Sequence, residues 1–385
     1  MAIPSELKQA ISMVKQQHPQ LASLPDEVVG QMIIKFMSEQ RAGIPNGARD
    51  PKSMTASELI EKGKKYYRLE QMQESEQYLL MGTEAAEREK NLYLQYEAVQ
   101  CLGGICHDRG DYSEAMMLYQ RTLTIAERMG DDSMVASAYY EMGFTCFYQG
   151  KFSLAFQYIE KCLEFGKQAG DQRFLAGAYA VLGSIYEELG NLDEALNAHQ
   201  KSLQSSIKGK DDLRLGRAYG NLGNVYAQRG EFSQALDVYQ KGLEIQLRMN
   251  DYRGVSDKYG NLGNLHRELG NYPEAIQMYE KSIAFDEKRG DEPKVATAFM
   301  NLGVVYTLMN DLVQALTYYL KGLKVFERIG DQHSAGKSYH NLGTLYLRQG
   351  DMKEARIHLE KAIALLDQVG DVRGAQNSRQ ALRSI

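Results

Sequence analysis

Four cysteines are the side chains of this sequence best suited to redox chemistry or metal binding. They lie at positions 101, 106, 146 and 162. Their spacing matches no common zinc pattern, no histidine pair lies beside them, and they are too clustered for a disulfide framework. We therefore predict reduced thiols packed in the core, and neither a metal site nor a cofactor.

The histidines give no better support for catalysis. An active site needs unlike groups that converge in one pocket, such as a nucleophile, a base and an orienting acid. Six of the seven histidines are scattered through the chain without a recurring acid or nucleophile beside them: His107, His199, His266, His333, His340 and His358. No glycine-rich phosphate loop occurs either. The sequence thus predicts a protein that is not an enzyme.

Composition and charge exclude two further classes of function. The formal net charge is −5, and no basic stripe with interleaved aromatic residues occurs, so nucleic-acid binding is not expected. No apolar run approaches the roughly 20 residues that a membrane-spanning helix needs. The N-terminal residues carry charges where a signal peptide needs an apolar stretch. We expect a cytoplasmic protein that does not interact with membranes.

The dominant feature of the sequence is a repeat of 40 residues. Glycine recurs at that interval from Gly63 to Gly343, alanine from Ala115 to Ala355, and aspartate from Asp131 to Asp371. No insertion breaks the register over eight copies. Such a period is the signature of a repeat architecture in which each unit buries its apolar face only against its neighbours.

One copy shows why each unit is predicted to be a pair of helices. Apolar side chains at helical spacing, Tyr219 to Tyr226, precede Gly230, which is suited to end a helix in a left-handed conformation. A second apolar series begins at Phe232, and Asp251 is suited to cap the next helix. The small pair Gly223 and Ala235 is predicted to let the two helix backbones approach closely.

These residues resemble the tetratricopeptide repeat family over about five-sixths of the chain. The family's aromatic residue four positions before the helix glycine appears as Tyr139, Tyr179, Tyr219, Tyr259, Phe299 and Tyr339, and the aromatic three positions after it as Tyr186, Tyr226, Tyr306 and Tyr346. The family's tryptophan and helix-ending proline are missing, and the period exceeds the usual ~34 residues. Because the glycine-to-alanine spacing is the usual one, the extra residues should lengthen the second helices. Such long repeats look like those of Pins/LGN-type scaffolds, kinesin light chains and Rap-type peptide receptors.

The resemblance implies an all-α fold, a right-handed α-solenoid of eight helix–turn–helix repeats with a C-terminal capping helix. Residues 51–371 are predicted to form the repeats. Residues 372–385 form the cap, in which Arg379 and Arg383 replace the aromatic and the glycine. Residues 1–50 fall outside the period and are predicted to contain two short amphipathic helices and a linker. Those helices either cap the first repeat or form a separate docking or effector module.

In this family the first helices line a concave groove, which places the candidate binding residues. Asparagine can pair with the backbone of an extended peptide through both a donor and an acceptor. The peptide-binding residues predicted for the groove are Asn221, Asn224, Asn261, Asn264, Asn301 and Asn341, the basic side chains Arg217, Arg267 and Lys337, and the aromatic side chains Tyr140, Phe144 and Tyr148. Gly220 and Gly260 are predicted to leave room for the peptide. Alternatively, the asparagines pair with the helix of the adjacent repeat or with water, and the aromatic residues pack against the N-terminal helices.

Three functions remain. The first is a scaffold or adaptor that binds a peptide segment of a partner protein in the groove. The second is a Rap-like receptor that senses a peptide through the repeats and acts through residues 1–50. The third is a scaffold that self-assembles into homo-oligomers through its end repeats.

Overall fold

The computed structural model describes residues 51–385, and within that range the regular structure is helical throughout. A short 3-10 turn at Pro51–Ser53 is followed by seventeen α-helices, and these residues contain no strand. The predicted helices of residues 1–50 lie outside the described residues. The helices form eight consecutive pairs and one final helix, which confirms the helix–turn–helix repeat.

In chain order the helices are α1 (Ala56–Arg68), α2 (Met72–Arg88), α3 (Leu92–Arg109), α4 (Tyr112–Met129), α5 (Asp132–Tyr148), α6 (Phe152–Gln168), α7 (Gln172–Glu188), α8 (Leu192–Gly209), α9 (Asp212–Gln228), α10 (Phe232–Arg248), α11 (Tyr252–Glu268), α12 (Tyr272–Arg289), α13 (Glu292–Leu308), α14 (Leu312–Ile329), α15 (Gln332–Gln349), α16 (Met352–Gln368) and α17 (Val372–Leu382). Odd-numbered helices up to α15 are the first helices of the repeats, and even-numbered helices are the second. The second helices have 17 or 18 residues, as the long repeat predicts.

The turns between helices recur every 20 residues, so each repeat consists of two halves of equal length. One residue per turn has a positive φ, from Glu70 to Gly370, and eleven of these sixteen residues are glycine. Glycine adopts this left-handed conformation without the clash that a Cβ atom introduces. Gly230, with φ of 73°, ends the first helix of its repeat as predicted.

The recurring aspartates begin the first helices as predicted. Asp131 Oδ1 accepts hydrogen bonds from the backbone N–H of Ser133 (2.9 Å) and Met134 (3.0 Å). Asp251 Oδ1 accepts one from Gly254 N (3.1 Å). These bonds satisfy N–H groups that have no partner within the helix. The aspartates therefore fix where each repeat starts.

The helix glycines allow the two helices of a repeat to nest. A Cβ added at Gly143 would lie 3.3 Å from the carbonyl oxygen of Ala155, which confirms the predicted close approach of the two backbones. The space beside each helix glycine is filled chiefly by the side chain that lies one turn after the recurring alanine of the second helix. A Cβ at Gly223 would lie 2.3 Å from the ring of Tyr239, which is buried. Glycine is thus required to receive this ring as much as to bring the backbones together.

The chain divides into two compact units, Met1–Ala98, described from residue 51, and Val99–Ile385. In the first unit, Ala56, Leu59, Ala85 and Ala86 form the core. In the second unit, successive helices bury a series of clusters, such as Ala235, Tyr239, Leu262 and Leu265.

The last helix, α17, packs on α16. It buries only Ala375 and Ser378, and Arg379 forms an ion pair with Asp367 of α16. This polar composition fits the predicted cap. No helix between residues 51 and 385 is long and apolar enough to cross a membrane.

Candidate functional site

The first helices of the second unit lie side by side, which makes them a continuous support for a binding site. Each of α5, α7, α9 and α11 contacts the first helix of the following repeat, in addition to the second helix of its own. Polar side chains link these helices. Gln228 Nε2 donates to Glu187 Oε2 (2.9 Å), and Arg348 Nη1 donates to the carbonyl of Thr307 (3.3 Å). We call the side of these helices that carries the predicted binding residues the first-helix face.

Two of the predicted asparagines are hydrogen-bonded to buried tyrosines. Asn224 Oδ1 accepts a hydrogen bond from Tyr239 Oη (2.7 Å), and Asn264 Oδ1 accepts one from Tyr279 Oη (2.6 Å). Burial raises the pKa of both phenols, that of Tyr279 to about 12, so both remain donors. Asn224 Oδ1 also accepts from Asn261 Nδ2 of the next repeat (3.1 Å). The Asn224–Asn261 bond joins adjacent repeats, as the alternative interpretation predicted, whereas both tyrosine bonds lie within one repeat.

The other three asparagines keep their hydrogen-bonding groups available. Asn221, Asn301 and Asn341 are half-buried on α9, α13 and α15. Their side chains form no hydrogen bond with any residue in the range 51–385. An amide fixed on a helix, with donor and acceptor both unused, is suited to bind a peptide backbone.

The aromatic side chains predicted on α5 form one connected cluster. Phe144 lies between Tyr140 (ring centroids 5.8 Å apart) and Tyr148 (4.8 Å), and the imidazole of His107 stacks on it from α3 (5.3 Å). Tyr148 remains 55% exposed. The predicted packing of this cluster against the N-terminal helices concerns residues outside the described range. The cluster offers an apolar surface with polar edges.

A carboxyl group lies beside this cluster. Glu141 is half-buried on α5, and its carboxylate forms no ion pair or hydrogen bond with the described residues. Burial, with a smaller contribution from the negative charge of Asp108, raises the pKa of Glu141 to about 7, although the positive charge of Arg214 opposes the shift. Burial also raises the pKa of the Tyr140 hydroxyl. The first-helix face at α5 is therefore apolar, with a poorly solvated acid.

The predicted basic side chains differ in their surroundings. Arg217 on α9 is exposed and has no ion-pair partner within residues 51–385. Arg267 on α11 donates to Glu268 (2.8 Å), so part of its charge is already matched. Lys337 on α15 is exposed. The hydrogen bonds from Gly374 N–H and His333 chiefly lower the pKa of Asp371, and the positive charge of Lys337 adds a smaller contribution.

The prediction that Gly220 leaves room for a peptide is wrong. Gly220 is buried, because the side chain of Lys258 from the next repeat covers it. A Cβ at Gly220 would lie 2.1 Å from Lys258 Nζ, whereas the nearest atom to a Cβ at Gly260 is 3.9 Å away. Only Gly260 has the open space that was expected. Lys258 was not among the predicted residues, although the sequence carried a signal, since most copies have alanine at that position.

Among the described residues, no group of three or more histidine, cysteine, aspartate or glutamate side chains is arranged to hold a metal ion. His199 is fully buried on α8, where its Nε2 lies 2.7 Å from Glu187 Oε1 and its ring fills the space left by Gly183. Three of the four cysteines, Cys106, Cys146 and Cys162, are buried, as predicted, and Cys101 is half-buried.

Solved structures of known proteins share this architecture at low sequence identity. A signal transduction ATPase with a tetratricopeptide repeat sensor from Pyrococcus horikoshii is 16% identical, with a TM-score of 0.64, over 98% of this chain and 55% of that one. The quorum sensor NprR from B. thuringiensis is 15% identical, with a TM-score of 0.62, over 94% and 97%. The Rap conjugation gene regulator of the plasmid pLS20, solved with the Phr* peptide, is 16% identical, with a TM-score of 0.56, over 85% and 98%.

At these identities the similarity establishes the fold alone. A comparison with curated protein sequences found no match. The family model of the tetratricopeptide repeat matches residues 95–168, 174–248, 254–328 and 294–368, which together cover more than half of the chain. Helix pairs, period and family model agree, and the chain belongs to the tetratricopeptide repeat family.

Proposed function

We propose that this protein is a non-catalytic scaffold or adaptor that binds a peptide segment of a partner protein along the first-helix face. The proposed contacts are the free amides of Asn221, Asn301 and Asn341 with the peptide backbone, and the aromatic cluster on α5 with an apolar or aromatic side chain. Buried, free thiols at Cys146 and Cys162 are compatible with the reducing cytoplasm in which we place it.

The observation that carries this proposal is the distribution of side-chain amides that have no partner within residues 51–385. Polar side chains at helix contacts in folded proteins usually find partners. On the first-helix face Asn224 and Asn264 do so, whereas Asn221, Asn301 and Asn341 recur at the same repeat position without one. Asn261 occupies the same position between them and uses its Nδ2 group to bind Asn224. Amides at one repeat position in successive copies present donors and acceptors at intervals along the face, which suits the repetitive backbone of an extended peptide.

The test is a selection of random linear peptides on the full chain, followed by affinity measurements with two variants. In the first, Asn221, Asn301 and Asn341 are all changed to alanine. Each lost backbone contact is expected to cost about 0.5–1.5 kcal/mol, so the triple change should weaken peptide binding by tenfold or more. Thermal unfolding of the triple variant should match that of the unchanged protein, because these side chains have no internal partner.

The matched control is Asn197→Ala, an exposed asparagine on the second helix α8. This change is expected to leave both affinity and stability unaltered. If the triple variant binds the selected peptides as tightly as the control does, the asparagines are not the site. If selection enriches no peptide at all, the proposed function itself is wrong.

A second candidate is a peptide-sensing regulator in which residues 1–50 act on a target. It is favoured by the structural likeness to NprR, described as a quorum sensor, and to the Rap regulator solved with the Phr* peptide. Deleting residues 1–50 separates the two candidates. A regulator would keep its peptide but lose its effect on the target, whereas an adaptor would keep both the peptide and its partner.

A further inference from the structure

Lys258 is a charged residue at a position where six of the seven other repeats have a small one. These six residues are Ala98, Ala138, Ala178, Ala218, Ala298 and Ser338, all of them buried, whereas the first repeat has the exposed Glu58 there. Lys258 is only 6% exposed, and it forms no hydrogen bond or ion pair with any described residue. Charged side chains are rarely buried without a partner, because removing the charge from water is costly. A buried, unpaired lysine therefore needs an explanation.

Small residues around Lys258 provide the space that its side chain occupies. Its stem passes Gly242 of α10, where an added Cβ would lie 3.2 Å from Lys258 Cε. Its ammonium group lies over Gly220 of α9, where an added Cβ would lie 2.1 Å from Nζ. Glycine at both positions creates a channel that leads the lysine from α11 to the surface of α9. The buried position of Lys258 is thus built by neighbouring residues rather than forced by its own helix.

The channel ends on the first-helix face. Gly220 lies three residues after Arg217 and four before Asn224, so these residues share one side of α9. Some side-chain atoms of the described residues, such as Gln246 Oε1, are completely buried without a hydrogen-bond partner. Lys258 Nζ also has no partner, but it is not completely buried. The ammonium group therefore retains a small exposed area, beside the α9 positions predicted to contact a peptide.

The charges around Lys258 leave one positive charge unmatched. Burial lowers the pKa of Lys258, the negative charges of Asp257 and Asp251 oppose this shift, and the positive charges of Arg217 and Lys294 reinforce it. Lys294 is already ion-paired with Asp257. The two acids and the two other cations balance, so protonated Lys258 is the member of this set that has no opposite charge. A bound carboxylate supplies that charge and favours the protonated lysine.

We propose that Lys258 Nζ and the Arg217 guanidinium bind a carboxylate of the partner peptide on α9, from either an acidic side chain or the C-terminus. The guanidinium group of Arg217 binds the planar carboxylate through two N–H groups, and the ammonium group of Lys258 adds a second positive charge beside Gly220. This inference deepens the proposed function and rests on it. It assigns an acidic group to one position of the peptide.

The test follows the ¹³Cε resonance of Lys258 in the full chain, assigned by its loss in Lys258→Met. Four small molecules are titrated at low salt: N-acetylglutamate α-amide, which carries only a side-chain carboxylate; N-acetylglutamine, which carries only an α-carboxylate; neutral N-acetylglutamine amide; and inorganic phosphate. We expect a saturable shift with at least one carboxylate and none with the neutral amide. Arg217→Met should weaken that binding roughly tenfold. The two carboxylates distinguish an acidic side chain from a C-terminus.

A shift with phosphate alone, an equal shift with the neutral amide, or no shift with either carboxylate would overturn the proposal. Because these probes are not peptides, the result is independent of whether the chain binds peptides, and the two proposals fail separately. If Lys258→Met does not fold, Lys258→Ala replaces it, since alanine is the residue of most other copies at this position. With a selected peptide, changing its acidic residue to the neutral amide should weaken binding to the unchanged protein about tenfold and leave binding to Lys258→Ala unaffected.

Discussion

Asparagine has two different roles at neighbouring positions of the same helix. Asn224 accepts hydrogen bonds from Tyr239 and Asn261, so it belongs to the packing between helices. Asn221, less than one turn away, has no such partner. The distinction follows from the direction in which each side chain leaves the helix, since residues three apart point to overlapping but different neighbours.

Changing Asn224 to alanine should therefore destabilise the protein, unlike the same change at Asn221. The Tyr239 hydroxyl would lose its acceptor in a buried position, at a cost of about 1–3 kcal/mol. Urea titrations followed by circular dichroism would measure this difference. Equal unfolding midpoints for the two single variants would show that the Tyr239 bond contributes nothing to stability.

Glu141 makes stability depend on pH. Its pKa in the folded protein is about 7, above the ordinary value of 4.5. The folded state therefore holds the proton more tightly, and the stability gained from the protonated group is lost as the pH rises from 4.5 to 7.

Glu141→Gln cannot ionise, so it should become more stable than the unchanged protein across this interval. The gain has an upper limit of roughly 3.5 kcal/mol, at about 1.4 kcal/mol for each pKa unit. Urea midpoints of both proteins at about pH 5 and about pH 8 test this expectation. Glu188→Gln, at an exposed position of α7, is the control. Parallel pH profiles for Glu141→Gln and the unchanged protein would contradict it.

At the scale of the helix pair, the glycine near the middle of each first helix determines how closely the second helix packs. Alanine is normally better than glycine inside a helix by about 1 kcal/mol. At Gly223 this advantage is outweighed, because the added methyl group would overlap the Tyr239 ring. Overpacking of this kind costs about 1–3 kcal/mol.

Gly223→Ala and Gly260→Ala should thus have opposite effects. The first should destabilise the protein, and the second, at an open position of α11, should stabilise it by up to about 1 kcal/mol. Thermal unfolding of the two single variants under identical conditions is the measurement. If both changes act in the same direction, helix propensity rather than packing controls these positions.

At the scale of the whole molecule, each helix packs mainly on the helices next to it in sequence. The stability of such an array is approximately a sum of repeat and neighbour contributions, so the effect of a change should fade with distance along the chain. The C-terminal end illustrates this. Leu366 of α16 and Ala375 of α17 share a buried cluster that continues into α14 and α15.

Deleting residues 372–385 should therefore loosen the last repeat and leave the middle repeats unchanged. Amide hydrogen exchange should become faster in α15 and α16, because Leu366 loses its cover, and should stay the same in α5 to α8. Uniformly faster exchange in all helices would show that the array unfolds as one unit.

The amino-acid sequence by itself determined the repeat, the two helices in each copy and their ends. These features are encoded within a few residues of one another, by Asp131 at a helix start, Gly230 at a turn and the apolar spacing between them. Such local signals do not depend on what the neighbouring repeat contributes. The aromatic cluster around Phe144 was also predictable, since helical spacing alone brings Tyr140 and Tyr148 beside it.

Only the tertiary structure decided which polar residues of the first-helix face are free. Asn224 is engaged because Tyr239 reaches it from the second helix, and Gly220 is closed because Lys258 reaches it from the next repeat. Both contacts join residues that are 15 or more positions apart, so helical periodicity gives no information about them. The lengths and directions of side chains across helix contacts decide what remains available for a ligand.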